Sequence, residues 1–600
     1  MTGTENRPGR RRRRTARYSM NGELPLKDLV FISKRFWRHR WLLLCAAVLT
    51  AVSCAAELAL PGIMAGIVNE GLLGRRIEAV WDGSAAMLIT VFILGLAGLG
   101  TFMTCAAASE RFALELRDEL YETVTNLSVG QVEAIGAGPL ITRLTGDTSV
   151  CALLAQVLLQ MLLEPLLLLT GGVVMMWRIS HAFDAVFLAF VALQGVLVLL
   201  FVYKTMPLFL KVLEKNDRMN GFLQSELRCL RLIKANGAEA REGAVFGDLT
   251  EDIRAAQMGV RRWTAFFDPL ILLVVNSAVA CILLLSGTQA PGGALRAGSI
   301  LEAMTYAEQV LLSIVVSGRL FSQIAEAKAS AGRLAEVLRA RPSVAGGELP
   351  LPPGGIGRLV LRDVSFRYPS GGAPVLSGLD LTFERGAFVA VCGSAGCGKT
   401  TLSRLLCRVY DPTSGQILAD GTDLRCCRLD SVRRSIAVVE KNMDIIEGTI
   451  TENILYGRAD ITGADVEWAL EITGAAGLVR ALPEGRDTWA VSLGASLSGG
   501  DRQRLALARA LAGRPSVLVM DDCTSSLDYA TERAVLRSIR KNCPDLTVIL
   551  MTQRIPSVEG ADLVVCIGED GAAKSGTAEQ LRRSSPLFAL LCRSREELPC

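Results

Sequence analysis

The run Gly393-Ser394-Ala395-Gly396-Cys397-Gly398-Lys399-Thr400 follows directly on the apolar stretch Phe388–Cys392 and leads into a stretch of helical character. Glycines at those positions let backbone N–H groups wrap phosphate oxygens, and the following helix turns its positive end toward them. In such a P-loop Lys399 meets the β and γ oxygens and the Thr400 hydroxyl ligates Mg²⁺. A second apolar stretch, Ser516–Met520, ends in Asp521 and Asp522, the usual place for the carboxylate that organises the metal. The chemistry these residues suit is the binding of a Mg²⁺–nucleotide.

A cradle of this kind needs a strand before it, a helix after it and a sheet around it. From residue 358 to about 590 strand-like runs (Leu359–Phe366, Phe388–Cys392, Ser516–Met520) alternate with helical ones, the pattern of an α/β domain with a largely parallel sheet. The whole chain is longer and more apolar than that domain, with 600 residues, half of them hydrophobic, and a mean hydropathy of +0.36. A wholly soluble globule is excluded, and part of the chain belongs in lipid. Crossing about 30 Å of hydrocarbon takes about 20 mostly apolar residues, and six stretches qualify, at about 41–66, 84–109, 150–177, 185–203, 264–288 and 299–325. Glu302, Glu308 and Arg319 interrupt the sixth, which is counted because an even number keeps both ends on one side. Ala325–Arg341 reads as a helix leaving the membrane and Pro342–Gly357 as a Pro- and Gly-rich linker. The fold class expected is a membrane all-α six-helix transmembrane domain followed by an α/β P-loop NTPase domain. Its parts are a basic arm (1–24), a transmembrane domain (25–341), a linker (342–357), a nucleotide-binding domain (358–590) and a tail (591–600).

Charge orients the chain. Twelve Lys and Arg precede the first span, and the loops 110–149 and 204–262 carry 3 and 11, against 4 in the other three connections. Basic residues stay on the cytoplasmic side. The N-terminus, both long loops and the C-terminal half are therefore expected in the cytoplasm, in a multi-pass membrane protein. The net charge of +4 comes from the arm, where seven arginines stand against Glu5 in residues 1–20, and the remainder is net −2. No nucleic-acid partner is expected on that balance, and the arm suits contact with anionic membrane lipid. The first apolar run is a full span rather than the short core of a cleavable signal. Sixteen cysteines, with one adjacent pair at Cys426 and Cys427 and no CxxC, do not form a zinc set. The only histidines are His39 and His181.

Leu497-Ser498-Gly499-Gly500-Asp501, followed by Arg502–Leu511, resembles the signature motif of ATP-binding-cassette (ABC) transporters. The six spans resemble the exporter-type (type IV) membrane domain, and Gly138–Asp147 and Glu226–Glu242 its coupling regions. The resemblance extends over nearly all of residues 25–590 and implies an ABC half-transporter that works with a second one. Two cassettes then face head to tail, with each ATP between the P-loop of one and the signature of the other. It implies that Tyr368 stacks on adenine and that Gly393 to Thr400, with Thr401, hold the phosphates. Thr400 and Asp521 would serve the Mg²⁺. Ser498, Gly499, Gly500 and Asp501 would serve the partner's site, with hydroxyl and N–H donors at a helix start aimed at a γ-phosphate. Asp501 is expected to turn away from that phosphate. Drugs, lipids or other amphiphiles are the substrates implied, and Glu57, Glu164 and Glu308 within the spans are alternatives between cation contacts and interhelical hydrogen bonds.

The chain departs from the family at three catalytic positions. Asp522 stands where a glutamate orients the attacking water, one methylene short, and a misplacement of about 1 Å can cost about a hundredfold. Gln553 stands at the switch histidine and Lys441 at the Q-loop glutamine, where an ammonium can neither accept a bond from water nor ligate a metal. Ser492 replaces a further glutamate ahead of the signature. With Lys399 and Thr400 intact, the expectation is a degenerate site that binds MgATP and hydrolyses it weakly, in a heterodimer rather than a homodimer. Two alternatives are a siderophore or metal-chelate importer of the same fold and a non-pumping ATP-sensing membrane regulator, against which the intact signature argues.

Overall fold

The computed structural model describes residues 26–596 apart from 290–295, 319, 353, 370, 442–444, 491–496, 555–557 and 559. The arm 1–24, Ser492 and the last four residues of the tail lie outside the described residues. The chain divides into two compact units, one formed by residues up to Thr125 with Gly136–Ala340, the other by Asn126–Ile135 with Arg341 onward.

In the first unit six helices are long and apolar enough to cross a membrane, within Lys27–Leu73, Ile77–Asn126, Ala137–Ile179, Phe183–Arg228, Glu239–Gly287 and Ala297–Val316. Several are far longer than a bilayer requires. Ile77–Asn126 has 50 residues, about 75 Å at 1.5 Å per residue, against about 30 Å of hydrocarbon. Leu88, Phe92, Leu99 and Phe102 lie exposed on its apolar part, as lipid contact requires. Helix is described over Ala297–Gly318 and over Leu320–Leu338, so the chain is already helical before the Ala325 start read from the sequence. The buried Asp147 carboxylate accepts bonds from Ser330 Oγ at 2.9 Å and from the Arg333 guanidinium, and Arg143 reaches Glu336 at 2.7 Å. These bonds fasten the segment 138–147, expected as a loop and helical here, to the helix Leu320–Leu338.

Among its described residues the second unit contains ten strands: β1 (Arg358–Phe366), β2 (Leu376–Glu384), β3 (Phe388–Gly393), β4 (Ser414–Ala419), β5 (Thr422–Asp423), β6 (Ile436–Glu440), β7 (Val517–Asp521), β8 (Thr547–Met551), β9 (Leu563–Ile567) and β10 (Ala573–Gly576). They form an antiparallel sheet of order β2-β1-β4-β5 and a six-stranded sheet of order β10-β9-β3-β8-β7-β6. The second is parallel except at β10. Its central strands β3, β7 and β8 are buried at every position and mostly apolar, because both faces are covered. Val389, Val391, Val519, Ile549 and Met551 enter one core, while Leu518, Met520, Val548 and Leu550 enter another, the period-two division of a strand.

Residues 342–357, expected as a free linker, are in part laid against the second unit. Gly347 N donates to Cys427 O at 2.9 Å and Leu349 N to Cys426 O at 3.0 Å, while Arg428 N returns a bond of 2.7 Å to Leu349 O. The approach is so close that a Cβ on Gly347 would fall 2.1 Å from Cys426 O. Residues 126–135, inside the range expected for the transmembrane domain, also cluster here. Gly130 lies on the Tyr410 ring, and Glu133 accepts from the Tyr410 hydroxyl at 3.4 Å and pairs with Arg404 at 3.3 Å.

On the outer face of β3 the C-terminal helix Pro586–Glu596 inserts Phe588, fully buried with Ala390, Cys392 and Cys566. Truncation there opens a cavity behind the strand that carries the P-loop. Phe588→Ala is expected to cost about 3–5 kcal/mol, seen as a lower thermal midpoint of the purified full-length chain, with Phe588→Leu recovering most of it. An unchanged midpoint would show that this helix does not support the core.

Candidate functional site

The register of the parallel strands assembles the site. Glu440 on β6 lies beside Asp521 on β7, which lies beside Met551 on β8. The residues that follow, Lys441, Asp522 and Thr552-Gln553, therefore emerge at one edge with the P-loop that follows β3. Ligands of open α/β sheets bind at such carboxyl edges.

The P-loop has the backbone its glycines allow. Gly396 and Gly398 have φ of 84° and 106°, and a Cβ at Gly398 would lie 2.7 Å from the Leu376 side chain and 3.2 Å from Val375 O. The Lys399 ammonium donates to Gly393 O and Ser394 O, both at 2.9 Å, with Cys397 Sγ at 3.7 Å. It therefore lies along the loop, where a polyphosphate would compete for it. Thr400, in the first turn of the helix Lys399–Leu406, bonds the Asp521 carboxyl. Burial raises that carboxyl above its usual range, the Thr400 bond opposes the shift, the Asp522 charge adds to it and Lys399 again opposes it. A cation beside Asp521 would relieve the strain of holding a buried carboxylate. The Thr400 hydroxyl and Asp521 carboxylate thus suit two positions around a Mg²⁺ whose other ligands are phosphates and water. The third position, Lys441, cannot ligate.

Tyr368, two residues beyond β1, packs edge-on to Phe366 and Tyr410, with ring centroids 5.0 and 5.5 Å away. Its hydroxyl shares a 2.9 Å hydrogen bond with Thr401 Oγ1, so the ring stands beside the P-loop helix. Ser394 and Ala395 form the crest of the loop between β3 and Gly396.

Two of the three departures meet. The Lys441 ammonium lies 3.4 Å from Asp522 Oδ2. Asp522 has φ of 52° and its N–H donates to Met551 O at 2.9 Å, a left-handed conformation that aspartate tolerates better than most side chains. Gln553 is exposed beyond β8, so the structure brings Lys441 and Asp522 into contact and leaves Gln553 at the rim.

Ser498 caps the helix Gly499–Ala512, accepting from Asp501 N at 3.1 Å and donating its hydroxyl to Asp501 Oδ2 at 2.7 Å. The Asp501 carboxylate, expected to turn away, bends back onto Ser498 and pairs with Arg504. Burial works against its ionised form, and the Ser498 and Arg504 bonds outweigh burial, holding the carboxyl below its usual range. The N–H groups of Gly499 and Gly500 lie in the first turn of this helix, where backbone donors have no acceptor within the helix.

Several positioning residues carry no motif of their own. Gln503 Oε1 accepts from Ser526 N at 3.1 Å, and its Nε2 lies 3.5 Å from Lys441 O. Arg554 donates to Ser525 O at 2.6 Å, Leu527 O at 3.0 Å and the fully buried Glu532 carboxylate at 3.0 Å, which also accepts from Thr524 Oγ1 at 2.8 Å. This clamp fixes the loop after Asp522. The one signal in the sequence is an arginine next to Gln553, too common a residue to mark the role.

Residues 376–525 match the ABC transporter domain and residues 43–314 the ABC transporter transmembrane region. An "Uncharacterized ABC transporter ATP-binding protein" of Mycobacterium tuberculosis is 28% identical over 94% of this chain and 97% of its own length. An "ATP-dependent lipid A-core flippase" of Chromobacterium violaceum is 27% identical over 93% and 94%, and the human "Mitochondrial potassium channel ATP-binding subunit" is 28% identical over 94% and 79%. The solved structure of a bacterial Atm1-family ABC exporter with ATP bound superposes with a TM-score of 0.80 at 23% identity, covering 93% of this chain and 99% of that one. That likeness speaks for the fold.

The clamp yields a direct test. Arg554→Ala removes the cation from the buried Glu532 carboxylate, which keeps its Thr524 bond, a loss expected to cost about 1–3 kcal/mol, and should lower the thermal midpoint. Pairing it with Glu532→Gln should restore most of the loss. If the double variant is no more stable than Arg554→Ala, the ion pair is not what holds the loop.

Proposed function

We propose a function that proceeds from what the chain is: it belongs to the ABC transporters, as an exporter half-transporter joining a six-helix membrane region to an ABC ATPase that couples hydrolysis to transport. Within that frame its own ATP site binds MgATP and hydrolyses it weakly, while its Ser498–Asp501 signature completes the productive site of a different half-transporter. The observation that carries the reading is the Lys441–Asp522 contact. A carboxylate engaged by an ammonium has that oxygen occupied rather than offered to the attacking water, and an ammonium has no acceptor atom with which to replace the family's glutamine. The partner is a second half-transporter in a bacterial inner membrane, with both termini of this chain cytoplasmic. The substrates are lipids, drugs or other amphiphiles that reach the helices from the bilayer, a reading the flippase relative favours. Import of a metal chelate is the alternative with the same machinery. The channel-subunit relative favours a second reading, an ATP-binding regulator that does not pump.

Expressed alone, the full-length chain should bind ATP yet turn it over far below the usual enzyme range of about 1–10³ s⁻¹. Nucleotide trapping and phosphate release on the same preparation measure both, and turnover within that range would sink the weak-site reading. Co-purification from native membranes should recover a half-transporter with Glu, His and Gln at the three positions.

The two ends of this cassette serve different sites, so their variants should differ in the heterodimer. Lys399→Ala should weaken ATP binding at this chain's own site by about ten- to a hundredfold and reduce steady-state hydrolysis only in part. Gly500→Asp puts a carboxylate where the partner's γ-phosphate docks and should cut hydrolysis by about a hundredfold or more. Gly500→Ala is the control for size, because a Cβ there meets Leu527 and Ser526 O at 3.2 and 3.3 Å. Were Lys399→Ala to abolish turnover while Gly500→Asp spared it, the productive site would belong to this chain.

A further inference from the structure

Lys441 has a property that a merely defective position would not need. Its backbone is tied down, with Lys441 O within 3.5 Å of Gln503 Nε2, while its side chain is 59% exposed and touches Asp522, itself 34% exposed. The pair therefore lies at the open mouth of the site, where an ion pair contributes little to stability and a four-carbon stem lets the ammonium move. Deeper in, Asp521 is 6% exposed and bonded to Thr400. Among the described residues the edge thus brings together the carboxylates Asp521 and Asp522 and the ammonium groups Lys399 and Lys441, with the Arg404 guanidinium acting on Asp521. With a neutral glutamine at 441 it would be one positive charge poorer. A triphosphate brings several negative charges, and in ordinary P-loop sites Mg²⁺ neutralises part of them at the β and γ oxygens.

We propose that Lys441 is a built-in cation of this chain's nucleotide site. Asp522 holds the ammonium at the mouth, and the terminal phosphates of an incoming nucleoside triphosphate take it over, so that binding depends on Mg²⁺ far less than in a site with a glutamine. The inference rests on the reading of this site as one that holds nucleotide without efficient turnover. It gives the lysine a positive function there, retention of ATP across changes in free Mg²⁺. Asp522 in turn acts as the positioning residue for the ammonium rather than as a base. An ammonium about 4 Å from a phosphate oxygen near a protein surface supplies tenfold or more in affinity.

The test is equilibrium binding of mant-ATP to the full-length chain in lipid nanodiscs, with Mg²⁺ and with EDTA. The readout is the ratio of the two affinities. EDTA should weaken the wild type by less than about tenfold and Lys441→Gln by about a hundredfold, with Lys441→Arg close to wild type. Asp522→Asn should move the other way and tighten binding in EDTA, because it releases the ammonium to the phosphates. A pair that only braces the loop would shift both variants in the same direction, and that result, or an equal EDTA penalty in wild type and Lys441→Gln, overturns the proposal. Phosphate release from the same samples separates this from the weak-site reading. Fast turnover with a small EDTA penalty removes that reading and the retention role built on it, whereas slow turnover with a large EDTA penalty removes only the built-in cation.

Discussion

A slip of one residue between β6 and β7 would carry Lys441 away from Asp522 and turn the apolar side chains of β6 toward the wrong face. Because both faces of the sheet are packed, such a slip costs a core's worth of contacts. The register Glu440–Asp521–Met551 is therefore rigid, and everything at the carboxyl edge inherits that rigidity. Asp521 can remain buried beside Thr400, Asp522 can keep its left-handed backbone, and the loop beyond it can be held by Arg554, because the strand ends have nowhere else to go.

On this frame the charges form two layers. The inner one, Lys399 with Asp521 and Thr400, is the part that phosphate and metal chemistry demands, and it is complete. The outer one, Lys441, Asp522 and Gln553, stands at the positions the proposed function assigns to the attacking water, and it carries a salt bridge and an exposed amide. Restoring one residue alone would leave an unmatched group: a glutamate beside Lys441 stays paired, and a glutamine beside Asp522 leaves a carboxylate one methylene short. Groups that act as a unit change function together.

The membrane unit is governed by a different constraint, since hydrocarbon accepts no unpaired backbone and helices satisfy their own. The excess length of the helices, well beyond the bilayer, carries polar residues outside it, and Asp147 with Arg333 and Arg143 with Glu336 hold those extensions together. The short segment Asn126–Ile135 belongs by its contacts to the ATPase unit. There Glu133, Tyr410, Tyr368 and Thr401 form a chain of touching groups that ends on the P-loop helix.

Read alone, the sequence determined what rests on local chemistry. Apolar length marked six spans, glycine spacing with Lys399 and Thr400 marked the cradle, and residue type gave Lys441 no acceptor atom. These follow from properties of a few adjacent residues, so no neighbour distant in sequence can alter them. What only the tertiary structure decided depends on groups far apart in the chain. That Lys441 meets Asp522, that Asp501 turns back on Ser498 and Arg504, that Arg554 clamps the loop through Glu532, and that residues 342–357 lie in part on the ATPase unit rather than hang free all depend on register and packing. A side chain's type limits the bonds it can make, but its partner is whatever the fold brings within about 3 Å of it.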